Sequence, residues 1–199
     1  MSVTVINYAP DMGRWEPNAH GRLERAALEL YCERGFEQTT VAEIAKRAGL
    51  TERTFFRHFA DKREVLFAGS GELHALLERT VAAAPGDVTP IEAVSAALEA
   101  AGATLGDRRE RSRRRQAVID ANPELREREL IKLASLASTI ACALRARGVP
   151  RPTATLAAEA GIAVFKVAFE RWLTEVDRDD LPRLVRESFD ELRAVATGR

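Results

Sequence analysis

Apolar positions recur at helical spacing along almost the whole chain. Leu23, Ala26, Ala27, Leu30 and Tyr31 fall at i, i+3, i+4, i+7 and i+8, one face of a helix that opens near Pro17 and that Gly35 ends. Val41, Ile44, Ala45 and Ala48 form the apolar face of a short second helix. It is opened by the capping box Thr40-x-x-Glu43 and stopped by Gly49. Thr51 caps a third helix through Phe59, and Asp61-x-x-Glu64 opens a fourth that the pattern carries to about Ala84. Pro85-Gly86-Asp87 breaks the chain. Beyond it the pattern predicts a helix from Pro90 to Leu105, one capped by Asp107 to about Ala121, and one from Asn122-Pro123 to Arg147. Two more run over Thr153–Glu175 and from Asp180-Leu181-Pro182 to Thr197. The expected fold is therefore all-α, with about nine helices and no sheet. The first sixteen residues read as a flexible arm, followed by one helical unit over 17–66 and a second over 67–199.

Composition narrows the class. Of 199 residues, 46% are hydrophobic and 30% charged, which suits a packed core and excludes a disordered chain. Lys+Arg and Asp+Glu are 30 each, so the zero net charge argues against non-specific coating of nucleic acid. No apolar run reaches the ~20 residues of a membrane span, and Met1 to Trp15 does not read as a secretory signal. A cytoplasmic protein without a membrane partner is expected. Cys32 and Cys142, placed on apolar helix faces, read as two reduced thiols. No cofactor or metal is expected, since His20, His58 and His74 have no His or Cys partner at i+4. Nor is an enzyme: there is no Gly-rich phosphate loop after a strand and no G-x-S-x-G.

Residues 36–66 carry the function. Two short helices joined by Ala48-Gly49-Leu50-Thr51 make a helix-turn-helix. Between Thr39 and Arg63 the chain has Lys46, Arg47, Arg53, Arg57, Lys62 and Arg63 against Glu43, Glu52 and Asp61, a local charge of +3 on a neutral protein. Such a basic patch suits phosphate contact.

The motif Thr40-x-x-x-Ile44-Ala45-x-x-Ala48-Gly49-Leu50-Thr51-x-x-Thr54-Phe55-x-x-His58-Phe59-x-x-Lys62 resembles the TetR family of transcriptional regulators, over roughly residues 20–68. The resemblance implies a homodimer on double-stranded operator DNA, with 17–66 as the DNA-binding unit and 67–199 as the helical regulatory and dimerisation unit. The third helix would lie in the major groove, the last two helices would pair across the two-fold, and a small-molecule effector would sit among the middle helices. Carried onto this chain, it makes Glu52, Arg53, Thr54, Arg57 and His58 candidates to face DNA, with Thr40 and Lys62 at phosphates. His58 could equally cap its helix end. Phe56 stands where the family usually has Tyr, so it cannot donate to a phosphate and would meet a thymine methyl or a sugar. Arg53 stands where many members have a small residue, and guanine is its natural partner. Arg14 of the arm could enter a minor groove.

For the effector, Leu133, Leu136, Ile140, Phe165 and Phe169 are candidate lining residues, and an apolar or acyl-CoA-like molecule is the default. The run Asp107–Arg115, with six Arg, is either a solvated face pairing with Glu124, Glu127 and Glu129, or a grip for an anionic ligand in which Arg113 takes part. Trp172, Leu184 and Phe189 are candidates for the dimer interface. The expected function is a ligand-released repressor. The alternative is an architectural or partner-dependent DNA binder without a ligand.

Overall fold

The computed structural model describes residues 18–175 and 180–198. The arm, with Arg14, lies outside the described residues, as does the side chain of Asp107. All regular structure among the described residues is helical: α1 Ala19–Arg34, α2 Val41–Arg47, α3 Glu52–His58, α4 Ser70–Ala83, α5 Pro90–Ala103, α6 Arg109–Asp120, α7 Pro123–Ala146, α8 Arg151–Thr174 and α9 Leu181–Thr197. Short 3-10 turns at Glu64–Phe67 and Gly106–Arg108 precede α4 and α6.

Several ends follow the local chemistry. Thr40 and Glu43 form the reciprocal capping box on α2, and the Thr51 hydroxyl accepts the Thr54 amide at the start of α3. Thr89 and Glu92 make a second box on α5, which the sequence reading had not marked. Asn122 departs from expectation: its side-chain amide donates to the Val118 carbonyl at 2.7 Å, closing α6 rather than capping α7.

The helix expected over Asp61–Ala84 is broken. Val65, Leu66 and Phe67 are all buried, and three consecutive side chains cannot share one face of an α-helix, whose residues are ~100° apart. A 3-10 turn buries them together, and Gly69, at φ 81°, redirects the chain into α4. That left-handed conformation is open to Gly at no steric cost.

Two cores result. The first joins Leu23, Leu30 and Tyr31 of α1 with Ile44, Phe55, Phe59, Leu66 and Phe67. It is completed from far along the chain by Val118 and Ile119 of α6 and Leu125 of α7. The second packs Leu77, Val94, Leu98, Ile140, Leu144, Trp172, Leu184 and Phe189 across α4, α5, α7, α8 and α9. By length and composition α8 could cross a membrane, but one side of it, with Ala154, Ala158, Ile162, Ala168, Trp172 and Leu173, packs into the second core.

Charged side chains tie the two units along their seam. Glu64 receives Arg128 Nε at 2.7 Å and Lys132 Nζ at 3.0 Å, both from α7. Partial burial alone would raise the Glu64 pKa; the bonds from Arg128 and Lys132 outweigh it and hold the carboxyl below its ordinary range. Arg115 donates to the Leu66 carbonyl at 2.6 Å, lies 5.1 Å over the Phe67 ring and meets Glu129 at 3.3 Å. Arg111 pairs with Glu24 of α1. Much of the arginine run thus faces partners across the seam.

Candidate nucleic-acid interface

The turn between α2 and α3 fixes the angle of α3. Gly49 has φ +65°, and a Cβ there would lie 2.8 Å from the Arg22 guanidinium. That guanidinium occupies the space because Arg22 Nε donates to the Ala48 carbonyl at 3.0 Å, closing the end of α2 from α1. Sequence reasoning missed Arg22, because its partner is 26 residues away and no local pattern marks it. Ile44, Phe55 and Phe59 hold the pair against α1 from beneath.

Above this support, α3 presents Arg53, Phe56 and Arg57 to solvent. These are i, i+3 and i+4, one face of the helix. Phe56 is 55% exposed, a large apolar ring left in water beside two guanidinium groups. Glu52 is exposed in the first turn. Thr54 is half-buried, its hydroxyl 3.0 Å from that of Thr51, so it sets the helix start more than it reaches outward. Thr40 is exposed at the start of α2, and its amide and hydroxyl hold the Glu43 carboxyl below its ordinary range. Arg47 makes a two-pronged pair with Glu33 at 2.9 and 2.8 Å.

Two expected DNA contacts are placed elsewhere. Lys62 Nζ donates to the carbonyls of Phe36 at 2.9 Å, Glu37 at 3.3 Å and Thr39 at 3.0 Å, and lies 4.3 Å over the Phe36 ring. The Lys62 carbonyl accepts the Tyr31 hydroxyl at 2.6 Å, and burial pushes that phenol well above its usual pKa. Lys62 therefore anchors the segment leading into Thr40 instead of projecting to a phosphate. His58 turns inward, its Nε2 sealed from solvent without a hydrogen-bond partner.

The regulatory residues also sort differently from expectation. Leu136 and Ile140 are core residues, while Leu133, Phe165 and Phe169 are only partly buried against that core. Phe165 and Phe169 stack with centroids 6.0 Å apart. Arg113 is exposed and meets Glu110 at 3.6 Å, as a surface pair on α6. Trp172 and Leu184 are fully buried and Phe189 is 1% exposed, so all three pack inside the chain rather than at a dimer interface. The sequence pattern marked them apolar but not which way they face. The apolar residues that do face outward on α8 are Leu156, Ala163 and Val167, with half-buried Ala160 completing the stripe. Cys32 and Cys142 are exposed rather than on apolar faces.

Comparison with known proteins agrees with both halves. Residues 24–68 match the model of bacterial regulatory proteins of the tetR family, and residues 88–197 match the MftR C-terminal domain. TcmR, an HTH-type transcriptional regulator of Streptomyces glaucescens, is 38% identical over 79 residues, 40% of this chain and 35% of TcmR, so the match spans about a third of that relative. MftR of Mycobacterium tuberculosis is 26% identical over 167 residues, 82% of this chain and 84% of MftR. Among solved structures, FadR of Bacillus subtilis in complex with stearoyl-CoA superposes with a TM-score of 0.61 at 19% identity, covering 87% of this chain and 97% of that one. The SmeT–triclosan complex, SmeT being the efflux-pump repressor of Stenotrophomonas maltophilia, gives 0.63 at 23% identity over 89% and 90%. At these identities the structural likeness is one of fold. With a helix-turn-helix that matches at one end and a regulatory unit that matches over more than half its length, the chain belongs to the TetR family of bacterial regulatory proteins, DNA-binding regulators of transcription.

Proposed function

We propose that the protein is a homodimeric, cytoplasmic repressor that a small apolar molecule releases from its operator. The observation that carries the DNA half is the solvent-facing triplet Arg53, Phe56 and Arg57 on a helix whose angle Gly49 and Arg22 fix. Two such helices ~34–36 Å apart would read successive major grooves. Arg53 suits the O6 and N7 edge of guanine and Phe56 a thymine methyl. Thr40 and the amides at the start of α3 suit phosphate. For Arg53→Ala, discrimination at one base position is expected to fall by about 1–3 kcal/mol, read as the ratio of affinities for operator and single-base variants. Equal losses on operator and scrambled duplex would remove Arg53 from base reading.

Lys62→Met is expected to act differently. It deletes three charge-assisted bonds to the segment entering α2. Bonds of this kind are worth ~1.5–3 kcal/mol, so the urea midpoint should fall and all duplexes should be bound more weakly by similar factors. An unchanged midpoint would show that the clamp does not hold the segment.

The dimer reading is supported by the outward stripe Leu156, Ala160, Ala163 and Val167 on α8, whose small residues allow close helix approach. The effector reading is supported by the half-buried Leu133, Phe165 and Phe169. FadR of Bacillus subtilis was solved with stearoyl-CoA and SmeT with triclosan, molecules with large apolar parts. Long-chain acyl-CoA is accordingly the first effector class to try. Release would be a population shift, the effector favouring the arrangement that spaces the two α3 helices wrongly. The seam offers α6 as the lever: it gives Val118 and Ile119 to the first core, while Arg109 donates to the Glu175 carbonyl at the end of α8. The turn at Gly69 separates α4 from the preceding segment, which favours α6 over α4 as that lever. The deciding experiment is mobility shift on DNA flanking the protein's own gene, with and without acyl-CoA or cell extract. A shift reversed by either supports the reading. A shift indifferent to both favours a ligand-independent DNA binder.

A further inference from the structure

The last turn of α3 rests on α1 through a seam of rings. His58, the final residue of α3, has its Nε2 sealed from solvent with no partner. His20 of α1 meets it edge-on, ring centroids 5.9 Å apart, and lies over Phe59 at 4.6 Å. His20 Nδ1 is 2.8 Å from Glu24 Oε1. Glu24 pairs in turn with Arg111 of α6. Among the described residues, the charged and titratable groups around His58 are therefore Arg57 on its own helix, His20 on α1 with Glu24 behind it, and Arg111 of α6 behind Glu24.

Among the described residues this environment suits a neutral imidazole and offers the Nε2 of a charged one no acceptor. A proton added at Nε2 makes an N–H without an acceptor in a closed seam, and an unsatisfied buried donor is costly. The new charge would also sit beside Arg57 and His20. The carboxylate behind His20, Glu24, is already engaged by His20 and Arg111.

We propose that the His20–His58 seam is a proton-sensitive seat for the recognition helix: while His58 is neutral α3 stays docked on α1, and protonation undocks it and releases DNA. The inference rests on the DNA-binding reading above. Burial first, then the charges of Arg57 and His20, hold the His58 pKa below its ordinary value. The docked form therefore binds fewer protons than the undocked form. Its stability is complete above the ordinary imidazole value of ~6.5 and is lost as pH falls below it toward the depressed value. A histidine that met a DNA phosphate would give the opposite sign, with binding tightening as pH falls.

The test uses the full chain and a duplex selected from a random-sequence pool at pH 7.5. Affinities of the wild type and of His58→Phe are measured at pH 7.5 and 5.5 at one ionic strength. The wild type is expected to weaken relative to His58→Phe by up to about tenfold, the ceiling that one proton released per docking sets over one unit below the ordinary imidazole value. In parallel, carbon-resolved NMR of the wild type should show the His58 imidazole titrating below its ordinary value. Wild-type binding as flat with pH as the variant's, tighter binding at pH 5.5, or a His58 titration at or above the ordinary value would each overturn the proposal. Absence of any bound duplex at pH 7.5 would strike the DNA-binding reading instead, and the imidazole titration would still decide the seam.

Discussion

Val167→Glu is expected to convert the protein to a monomer and to weaken operator binding by about 10²–10⁴-fold, the range by which linking two sites raises avidity. Val167 is 49% exposed and Leu156 71% exposed on the same side of α8. Ala160 and Ala163 lie between them, so the stripe runs along several turns with little to keep two helices apart. Paired across a two-fold, each stripe would meet its own copy, which makes one substitution count twice. A carboxylate there would bring two like charges together in a closing apolar contact, where desolvation adds to repulsion. Within the monomer the same change touches solvent, so folding should be nearly unaffected. Sedimentation at micromolar concentration checks the assembly, thermal unfolding the fold and mobility shift the binding. A variant that still sediments as a dimer would show that the copies pair through another face.

The contrast between Val167 and Trp172 explains how much of the molecule was legible in its sequence. Both are apolar and both sit on α8, five residues apart. Periodicity identified the helix but not which side faces a neighbour, because α8 carries apolar residues almost all round. The pattern consequently points to Trp172 for the interface and passes over the small residues, whereas Trp172 fills the second core and the small-residue side is the open one. In the helix-turn-helix, by comparison, short local rules sufficed. The Thr40–Glu43 box, the Thr51 cap and the Gly49 turn each involve residues at most four apart, and all are present. What those rules could not reach was long-range. Arg22 on Ala48, Lys62 on Phe36 and Arg111 on Glu24 join positions 26, 26 and 87 residues apart. Lys62 was legible as a special cation at a fixed place in a motif, but its direction depended on three carbonyls that only the folded chain brings together. The broken fourth helix has a similar origin. Residues 65–67 read as helix until the first core requires all three inside at once.

Ile119→Ala is expected to cost about 2–5 kcal/mol, the range for truncating a buried Ile, and to damage DNA binding although Ile119 lies far in sequence from the helix-turn-helix. Ile119 is fully buried and packs in the first core with Leu23, Phe55 and Phe59. Its helix, α6, also reaches the regulatory unit, through Arg109 and the end of α8. Removing the side chain leaves a void between α6 and the DNA-binding unit, and neighbouring groups relax only partly into it. The proper control is Ile140→Ala, also fully buried but in the second core. The two substitutions remove the same atoms, so their transfer costs match, and urea unfolding should show similar losses. Operator affinity, measured where both variants remain folded, should separate them. Ile119→Ala should bind more weakly and respond less to an effector that releases the wild type, because α6 no longer grips the unit it must move. Ile140→Ala should keep its operator affinity. Equal losses of affinity would mean that binding tracks overall stability alone and that α6 has no special part in seating the recognition helix.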